Sequence, residues 1–351
     1  MMMTPEKMME ALILRGDSRV ARQPVNVGEA CGTQVRVTIE VVGICATDVA
    51  LFHGRYRAPH RGSVCFGHEW AGMVEAVGET VEQIRVGDRV TGECSLWCGT
   101  CDGCRRNPNL CHQIEKFGIT VDGAARGHIL IDAKYLHRGV PDLEPDVLAL
   151  AEPLAVCHRG LLAAGFRRDP ELPPRVLIIG AGMLGQGSAL LLSRMFGCSE
   201  LVLHDLEPAR LHRAEALGVR RLGGLSPAAE SAAGYAGLYA NEQFDLVIET
   251  SGSERALQQG LNLLNPGGAL LMLGYLDRAE IAPSDLVLKA GRIVGSIGGS
   301  GSFEAIVPWL ASHADDARRL ITHSFSPDQA DAAFAVAGNA HEALKVQLRF
   351  S

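Results

Sequence analysis

Five of the chain's ten cysteines fall within one stretch of eighteen residues, CSLWCGTCDGCRRNPNLC, which we term the cysteine lobe (residues 94–111). Four of them follow the spacing C-x2-C-x2-C-x6-C, namely Cys98, Cys101, Cys104 and Cys111. Loops this short bring several thiolates to one ion, and four sulfurs complete a closed tetrahedral zinc site. We therefore predict a structural zinc site. Cys94 is spare and could replace one of the four.

The cellular compartment decides between a metal and disulfides. The N-terminal stretch MMMTPEKMMEALILRGD lacks a basic segment followed by a long apolar core and a small-residue cleavage site, so we expect no export. No apolar run reaches the ~20 residues that span a bilayer. We expect a cytoplasmic protein whose thiols are reduced, and this disfavours disulfides.

A second set of ligand types is scattered along the chain. VGICATDVALFHG carries Cys45 and Thr47, FGHEWAGMVEAVG carries His68 and Glu69, and LALAEPLAVCHRG carries Glu152. Thiolate, imidazole and carboxylate are ligands of catalytic zinc, where three protein groups leave a position for water or substrate. Adjacent strand residues face opposite sides, so ligation by both His68 and Glu69 requires local distortion. The share between Glu69 and Glu152 stays open.

The stretch RVLIIGAGMLGQG predicts a dinucleotide site, because Gly180, Gly182 and Gly185 form G-x-G-x-x-G between an apolar strand and an apolar helix. The first glycine permits a tight turn, the second lets backbone approach the pyrophosphate, and the third lets helix and strand pack closely. The helix N-terminus attracts the phosphates. Asp205 ends the next strand, where a carboxylate binds both ribose hydroxyls and repels a 2′-phosphate, so we predict NAD. Alternatively, Asp205 caps the following helix.

These sites need two kinds of scaffold. The first ~150 residues contain short β-runs with frequent turns, typical of a β-rich, barrel-like domain. From residue 155 to residue 295, strands and helices alternate, which predicts a doubly wound parallel sheet and an α/β fold class. A length of 351 residues favours two domains.

Composition excludes some function classes. Apolar residues make up 47% of the chain and charged residues 21%, as in globular proteins. The formal charge is -7 and no long basic block occurs, so we expect neither a nucleic-acid partner nor a membrane partner. One basic loop, RYRAPHRG (residues 55–62), could hold an anionic group of a substrate, although a solvated loop is the preferred interpretation.

GICATD, GHE, the four cysteines, AEPLA and GAGMLG occur in the order that resembles the zinc-dependent medium-chain dehydrogenase/reductases, in the branch of sorbitol, glucose and threonine dehydrogenases. The resemblance implies a GroES-like catalytic domain over residues 1–154, a Rossmann domain, and a return of residues 296–351 to the catalytic domain. It implies catalytic zinc at Cys45, His68 and Glu69, with Glu152 either a ligand or beside one.

The resemblance has departures and further implications. The last spacing of the lobe is one residue shorter than the family's usual spacing. Ala50 stands where many relatives carry a proton-relay histidine. His53, three residues later, could substitute for it, although a surface-loop histidine is the preferred interpretation. Further dinucleotide contacts are implied at Met183, Leu184, Arg210, Ser251, Gly252, Leu273, Gly274, Tyr275, Ser296 and Ile297.

The predicted activity is reversible, zinc-dependent and NAD-linked oxidation of a secondary alcohol (a polyol, cyclitol or sugar) to a ketone, with Thr47 as first carrier of the hydroxyl proton. Alternatives are a threonine-type or phosphorylated-polyol dehydrogenase, a zinc-free reductase of the same fold, and a non-catalytic NAD-binding protein. By the resemblance, we expect a homo-oligomer, either a dimer or a tetramer.

Overall fold

The computed structural model describes residues 9–166, 173–217, 219–221 and 243–350. Within them the chain divides into two compact units. The first unit contains the described residues up to Ala155 together with those from Gly298 onward, and the second is Val156–Ile297. Among the described residues, no helix combines the length and apolar character needed to cross a bilayer.

The described residues form eighteen strands and eleven α-helices. The strands are β1 (Met9–Leu14), β2 (Val20–Val25), β3 (Gln34–Ile44), β4 (Val64–Cys65), β5 (Glu69–Val77), β6 (Arg89–Gly92), β7 (Ser95–Leu96), β8 (Glu115–Lys116), β9 (His128–Asp132), β10 (Leu136–Arg138), β11 (Val176–Ile179), β12 (Leu201–His204), β13 (Arg220–Arg221), β14 (Phe244–Glu249), β15 (Leu264–Met272), β16 (Arg292–Gly295), β17 (Ile321–Phe325) and β18 (Lys345–Arg349). The helices are α1 (Ala46–Phe52), α2 (Asp102–Arg106), α3 (Pro145–Leu148), α4 (Ala151–Ala163), α5 (Met183–Arg194), α6 (Pro208–Ala214), α7 (Glu254–Asn262), α8 (Pro283–Lys289), α9 (Phe303–Ser312), α10 (Ala314–Arg318) and α11 (Ala330–Ala337).

The first unit is built around β3. Its larger sheet has the order β10-β6-β5-β3-β18-β17, and β9 also pairs with β3. Along most of β3, buried residues such as Val35, Val37 and Ile39 alternate with less buried ones, as expected for a strand with one face on the core. The strand is fully buried at its end, Val41–Ile44, where β5 and β18 flank it. This end leads directly to Cys45.

A smaller sheet of the first unit has the order β2-β1-β4. After β4 the chain turns at Gly67, whose φ of 95° lies in the left-handed region. A Cβ atom at Gly67 would lie 2.6 Å from Cγ1 of Val42, so a side chain has no room there. The turn brings the chain to His68 and the start of β5.

The second unit contains a parallel sheet with the order β13-β12-β11-β14-β15-β16. The first strand of the unit lies in the middle and the order reverses between β11 and β14, which defines a doubly wound fold. Strands β11 and β12 are buried at every residue, as the apolar runs of their sequences predict. The predicted α/β fold class is confirmed.

One predicted boundary is wrong. The stretch ALQQGLNLLNPGG reads as a helix with a glycine stop, but α7 ends at Asn262 and the NPGG segment belongs to β15. Gly267 adopts a φ of 77°, and the pairing of β14 with β15 shifts register between Phe244 and Leu246. The glycines therefore lie in an irregular first part of β15. A left-handed glycine occurs at strand bulges as well as at helix ends, so its presence did not identify a helix end here.

Candidate zinc and dinucleotide sites

Three of the scattered ligand types converge in the first unit. One ligand atom from each of Cys45, His68 and Glu69 lies within 4.8 Å of the others. Cys45 is the N-cap residue of α1, directly after β3, while His68 immediately precedes β5 and Glu69 is its first residue. His68 precedes the regular strand and follows the left-handed Gly67, so the pleat does not force its side chain away from that of Glu69.

Asp48 is the charged residue that lies beside the imidazole ring of His68. Oδ1 of Asp48 lies 3.7 Å from Nδ1 of His68, while Oδ2 accepts a 2.9 Å hydrogen bond from the backbone N–H of Cys45. Both side chains are buried. Burial raises the pKa of Asp48. Burial lowers the pKa of His68, but the charge of Asp48, together with the neighbouring Cys94 and Cys45, outweighs this effect, so the pKa of His68 stands well above its ordinary value.

Two buried polar atoms in this cluster lack hydrogen-bond partners, Nδ1 of His68 and Oδ1 of Asp48. Buried polar atoms are nearly always satisfied, so such a pair beside a thiol and a carboxylate needs an explanation. The donor set of one sulfur, one imidazole nitrogen and one carboxylate oxygen is one that zinc accepts. The residues therefore fit a zinc ion.

Glu69 is held by a buried ion pair with Lys345, the first residue of β18. Nζ of Lys345 also donates a 3.2 Å hydrogen bond to the backbone oxygen of Ile44. Gly43 faces Glu69 across β3 and β5, and a Cβ atom there would lie 2.5 Å from Oε2 of Glu69. Glycine at this position therefore makes room for the carboxylate.

The other predicted members of the site lie outside the group of three. Glu152 is buried in the first turn of α4, and burial, with the charge of Glu69, raises its pKa to about 7. Thr47 is half-buried on α1. Cys94 is buried and belongs to neither group of candidate metal ligands. Its thiol donates to the backbone oxygen of Phe117, and burial raises its pKa to about 11.

The four cysteines of the lobe also converge. The Sγ atoms lie 3.8 Å apart between Cys98 and Cys104, 3.6 Å between Cys101 and Cys104, and 4.0 Å between Cys101 and Cys111. A zinc ion with Zn–S bonds of about 2.3 Å requires tetrahedral sulfur separations of about 3.8 Å. Each cysteine is free, as expected for reduced thiols. The shorter last spacing leaves Cys111 within the group.

Backbone N–H groups point at the lobe sulfurs. Those of Cys98 and Gln113 donate to Sγ of Cys111 at 3.3 Å, and that of Gly99 donates to Sγ of Cys104 at 3.4 Å. A hydrogen bond from the Thr100 side chain, with backbone hydrogen bonds, lowers the pKa of Cys98 to about 5. Such donors favour the thiolate, which is the metal-binding form. The lobe therefore fits a closed zinc site.

In the second unit, the glycine-rich turn joins β11 to α5. A Cβ atom at Gly180, whose φ is 100°, would lie 2.6 Å from Oγ1 of Thr250, and one at Gly185 would lie 1.8 Å from the Gly180 oxygen. Gly182 is the N-cap residue of α5, and Met183 is its first residue. Leu184 follows it in the same turn. This compact turn is the shape that cradles a pyrophosphate.

Asp205 follows β12 and faces the same turn. Its Oδ2 accepts a 2.6 Å hydrogen bond from the N–H of Ala181, and its Oδ1 accepts one of 2.7 Å from the N–H of Glu207. The N-cap of α6 is Glu207, whose side chain accepts from the N–H of Ala209, so the alternative of Asp205 as the cap does not apply. Arg210 lies on α6, and its Nη1 is 3.8 Å from a Cβ position built on Gly182.

The remaining predicted contacts follow the ends of neighbouring parallel strands. Buried Glu249 ends β14, and its Oε1 accepts hydrogen bonds from the backbone N–H groups of Ser251 and Gly252. A Cβ atom on Gly252 would lie 2.6 Å from the backbone oxygen of Tyr275, so the turns after β14 and β15 are adjacent. Four further predicted contacts complete this edge, with Leu273 and Gly274 after β15 and Ser296 and Ile297 after β16.

Sequence reasoning did not assign roles to Asp48, Lys345 or Glu249. Each is a charged residue at the start of a helix or within an otherwise apolar strand, as in VIET and LKVQL. A charge in such a run is buried and needs a partner, and that was the available signal.

Comparison with known families agrees with this geometry. The profile of the alcohol dehydrogenase GroES-like domain matches residues 32–142, and that of the zinc-binding dehydrogenases matches residues 184–312. D-altritol 5-dehydrogenase of Agrobacterium fabrum is 30% identical over 291 residues, which are 82% of this chain and 83% of that protein. L-threonine 3-dehydrogenase of Anaeromyxobacter dehalogenans is 30% identical over 89% of this chain and 90% of its own.

Two further similarities extend over nearly the whole chain. Sorbitol dehydrogenase of Bacillus subtilis is 28% identical over 92% of this chain and 91% of its own. A protein from Sinorhizobium meliloti 1021, described as a zinc-binding dehydrogenase and solved bound to NADP, has a TM-score of 0.87 and 28% identity. That similarity covers 98% of this chain and 100% of the solved one.

Proposed function

The chain belongs to the zinc-binding dehydrogenases with an alcohol dehydrogenase GroES-like domain, and from this premise we propose that Cys45, His68 and Glu69 hold a catalytic zinc ion. The protein is a zinc-dependent, NAD-linked oxidoreductase that acts on a secondary alcohol. The observation that carries the proposed site is the convergence of three ligand atoms within 4.8 Å. The cysteine lobe would hold a second, structural zinc ion.

Zinc, when bound, supplies Lewis-acid chemistry that lowers the pKa of an alcohol hydroxyl. The chain's own residues then orient the proposed zinc ligands, balance their charge and accept the proton of the alcohol. Asp48 keeps the His68 imidazole oriented from one side, and Lys345 balances the carboxylate of Glu69. Thr47, whose hydroxyl both accepts and donates, is the proposed first carrier of the alcohol proton.

Beyond Thr47, the proton route differs from that of relatives with a histidine at position 50. Ala50 carries no proton, and the nearest histidine on α1's C-terminal side, His53, forms a 2.8 Å hydrogen bond with Oγ of Ser18. That contact engages Nδ1 of His53. We propose that the proton passes from Thr47 toward solvent without a histidine at position 50.

We propose that Gly180, Gly182 and Gly185 receive the pyrophosphate and that Asp205 selects NAD over NADP. The carboxylate of Asp205 is fixed beside the turn, where it would repel a 2′-phosphate. Replacing Asp205 with Ser should move the ratio of kcat/KM values toward NADP by roughly 10–100-fold. Ser193→Ala, an exchange elsewhere in the unit, should leave that ratio unchanged. An unaltered ratio in the Asp205 variant would refute this role.

For the substrate, we propose a polyol or sugar alcohol. The support is the mixed thiolate, imidazole and carboxylate set, together with the D-altritol and sorbitol dehydrogenases among the relatives. The second candidate is L-threonine, favoured by a relative of equal identity that covers 89% of this chain.

One experiment separates the candidates. Purified protein is mixed with NAD and, in parallel, with D-altritol, sorbitol, a cyclitol, a hexose or L-threonine, and formation of NADH is followed by absorbance. A polyol signal with no threonine signal supports the proposal. A threonine signal alone replaces it with the second candidate. Metal analysis of the same protein should give about two zinc ions per chain, and a content of one or fewer refutes the pair of sites.

We also propose a cytoplasmic homo-oligomer, either a dimer or a tetramer. The support is that the four lobe cysteines are not joined in disulfides, together with the family premise. Light scattering after size exclusion tests the oligomer, and a monomer at assay concentration would refute it.

A further inference from the structure

The first unit contains a cavity apart from both predicted sites. It has a volume of about 260 Å³ and lies on one face of the sheet β2-β1-β4. Its floor includes Ala11, Ile13 and Cys65, and the pairing of β1 with β4 places Ile13 directly opposite Cys65. None of the candidate zinc or dinucleotide residues lines it. The cavity holds several times the ~30 Å³ that one water molecule occupies in the liquid.

Two arginines and one carboxylate line the cavity: Arg61, Arg126 and Asp122. The side chains of Arg61 and Asp122 are 57% and 41% exposed, so the cavity opens to solvent. Nη1 of Arg61 lies 3.6 Å from Oδ2 of Asp122, beyond hydrogen-bond distance. Oδ1 of Asp122 is already occupied, because it accepts a 3.0 Å hydrogen bond from the N–H of Cys65. Asp122 therefore compensates at most one of the two guanidinium groups.

Among the described residues, Arg126 has no compensating carboxylate. Its Nε is buried and has no hydrogen-bond acceptor, and no carboxylate among the described residues forms an ion pair with it. An unsatisfied buried donor of a charged group is costly and needs an explanation. Arg126 follows Ala125, whose backbone oxygen is bound to β1, so the backbone fixes the side chain at the cavity.

The remaining polar groups do not offset the positive charge. Ser63 contributes a hydroxyl, which can donate. Burial raises the pKa of the Cys65 thiol to about 12, so this group is neutral at physiological pH. Gln23 and Ser63 are neutral and can both donate and accept, so the lining carries two positive charges and one negative charge.

We propose that this cavity binds a small oxyanion, a phosphate or carboxylate group, between the guanidinium groups of Arg61 and Arg126. The planar guanidinium group matches the geometry of both oxyanions and forms paired, charge-assisted hydrogen bonds with them. Such a ligand supplies the acceptor that Nε of Arg126 lacks. The site is separate from the alcohol and dinucleotide sites and does not depend on the proposed substrate.

Binding is measured by isothermal titration calorimetry with the zinc-loaded full chain, saturated with NAD so that its pyrophosphate site is covered. The probes are inorganic phosphate, methyl phosphate and acetate, each against chloride at equal ionic strength. Wild-type protein should bind at least one probe with millimolar affinity or better. A preference for methyl phosphate identifies an organic phosphate as the ligand, and a preference for inorganic phosphate identifies the free ion.

Three variants sharpen the test. Arg126→Met removes the unpaired cation at similar volume and should weaken binding by about tenfold or more. Asp122→Asn keeps the acceptor for the Cys65 N–H but removes the competing charge, so it should strengthen binding severalfold. Arg85→Met, an exchange of an exposed arginine outside the cavity, should bind like wild type.

Several results would overturn the proposal. It is wrong if wild-type protein binds no probe better than chloride, or if Arg126→Met binds equally well. If Arg126→Met fails to fold, unchanged binding in both Arg61→Met and Asp122→Asn has the same meaning. It is also wrong if Arg126→Met dissociates an oligomer without any anion effect, because a carboxylate of a second copy then occupies the cavity.

Discussion

The two proposed zinc sites of the first unit differ in nearly every physical respect. The lobe draws its four ligands from fourteen consecutive residues, uses sulfur alone, and surrounds it with backbone N–H groups. The scattered group draws three ligand types from two segments, with His68 and Glu69 buried and Cys45 half-buried. Asp48 lies beside its histidine, and Lys345 forms an ion pair with its carboxylate. A closed local site suits a structural ion, and an asymmetric buried one suits chemistry.

The two sites differ in how far the spacing of residues along the sequence determines the positions of the ligand atoms. In the lobe, the spacing itself creates the geometry, because short loops cannot separate the sulfurs far. In the scattered group, the spacing along the sequence does not determine the distance between Cys45 and the pair His68 and Glu69. The pairing of strands around β3 brings these residues together. Removing one residue should therefore have different consequences in the two sites.

The largest expected effect is on turnover at the scattered site. Cys45→Ser should lower kcat by roughly a thousandfold or more, because loss of a zinc ligand forfeits several kcal/mol of transition-state stabilisation. NAD binding, measured by fluorescence titration, should persist, and the lobe should retain its zinc. Rates near those of wild type would exclude a zinc mechanism at Cys45.

Next in size is a loss of stability at the lobe. Cys104→Ser should lower the free energy of unfolding by on the order of 4 kcal/mol, since a structural metal contributes directly to folding. Denaturant titration measures this, and metal analysis should show one zinc ion fewer per chain. The surviving folded fraction should still oxidise alcohol. If turnover per folded molecule falls as far as in Cys45→Ser, the two sites are not functionally distinct.

An intermediate effect is expected from Asp48. Asp48→Asn keeps an oxygen for the N–H of Cys45 but removes the charge facing His68. Zinc affinity of the scattered site should fall by about 10–100-fold, as for other groups that orient a metal ligand. Competition with a fluorescent chelator provides the measurement, and the lobe serves as the internal reference. Equal weakening of both zinc ions would contradict the assigned role.

Acidity should separate the two sites further. Zinc binding requires neutral His68 and thiolate Cys45, and the raised pKa of His68 means that protons compete with the metal from above pH 6.5 downward. In the lobe, hydrogen bonds from Thr100 lower the pKa of Cys98 to about 5, whereas burial raises that of Cys104 to about 12. Because four ligands rather than three hold the lobe's ion, we expect protons to displace it only at lower pH. The scattered site should release zinc first as pH falls. A chelator assay over pH, in wild type and Cys104→Ser, tests this order.

The smallest effect is expected at the spare cysteine. Cys94 lies in neither group, so Cys94→Ser should leave both zinc ions bound and lower stability by about 1 kcal/mol, through a buried hydroxyl. Metal analysis and thermal unfolding measure these quantities. Loss of one zinc ion would show that Cys94 is a ligand after all.

Much of the fold was predictable, because apolar runs, glycine turns and cysteine spacing act locally. The α/β alternation and the turn at Gly180 are examples. The pairing of Asp48 with His68, and of Lys345 with Glu69, was not predictable, since each joins segments that only the sheet order brings together. The NPGG segment was misassigned because glycine serves strand bulges as well as helix ends.

The ion pair between Glu69 and Lys345 has a consequence for biosynthesis. The two residues are 276 positions apart in the chain. A ribosome that adds roughly 5–20 residues per second needs about 14–55 s to travel between them. During that interval Glu69 has been synthesised but its partner Lys345 has not. The four cysteines of the lobe are synthesised within about 1–3 s of one another. The proposed ligands of the structural zinc ion are thus all available early in synthesis, whereas the proposed catalytic site is completed only near the end.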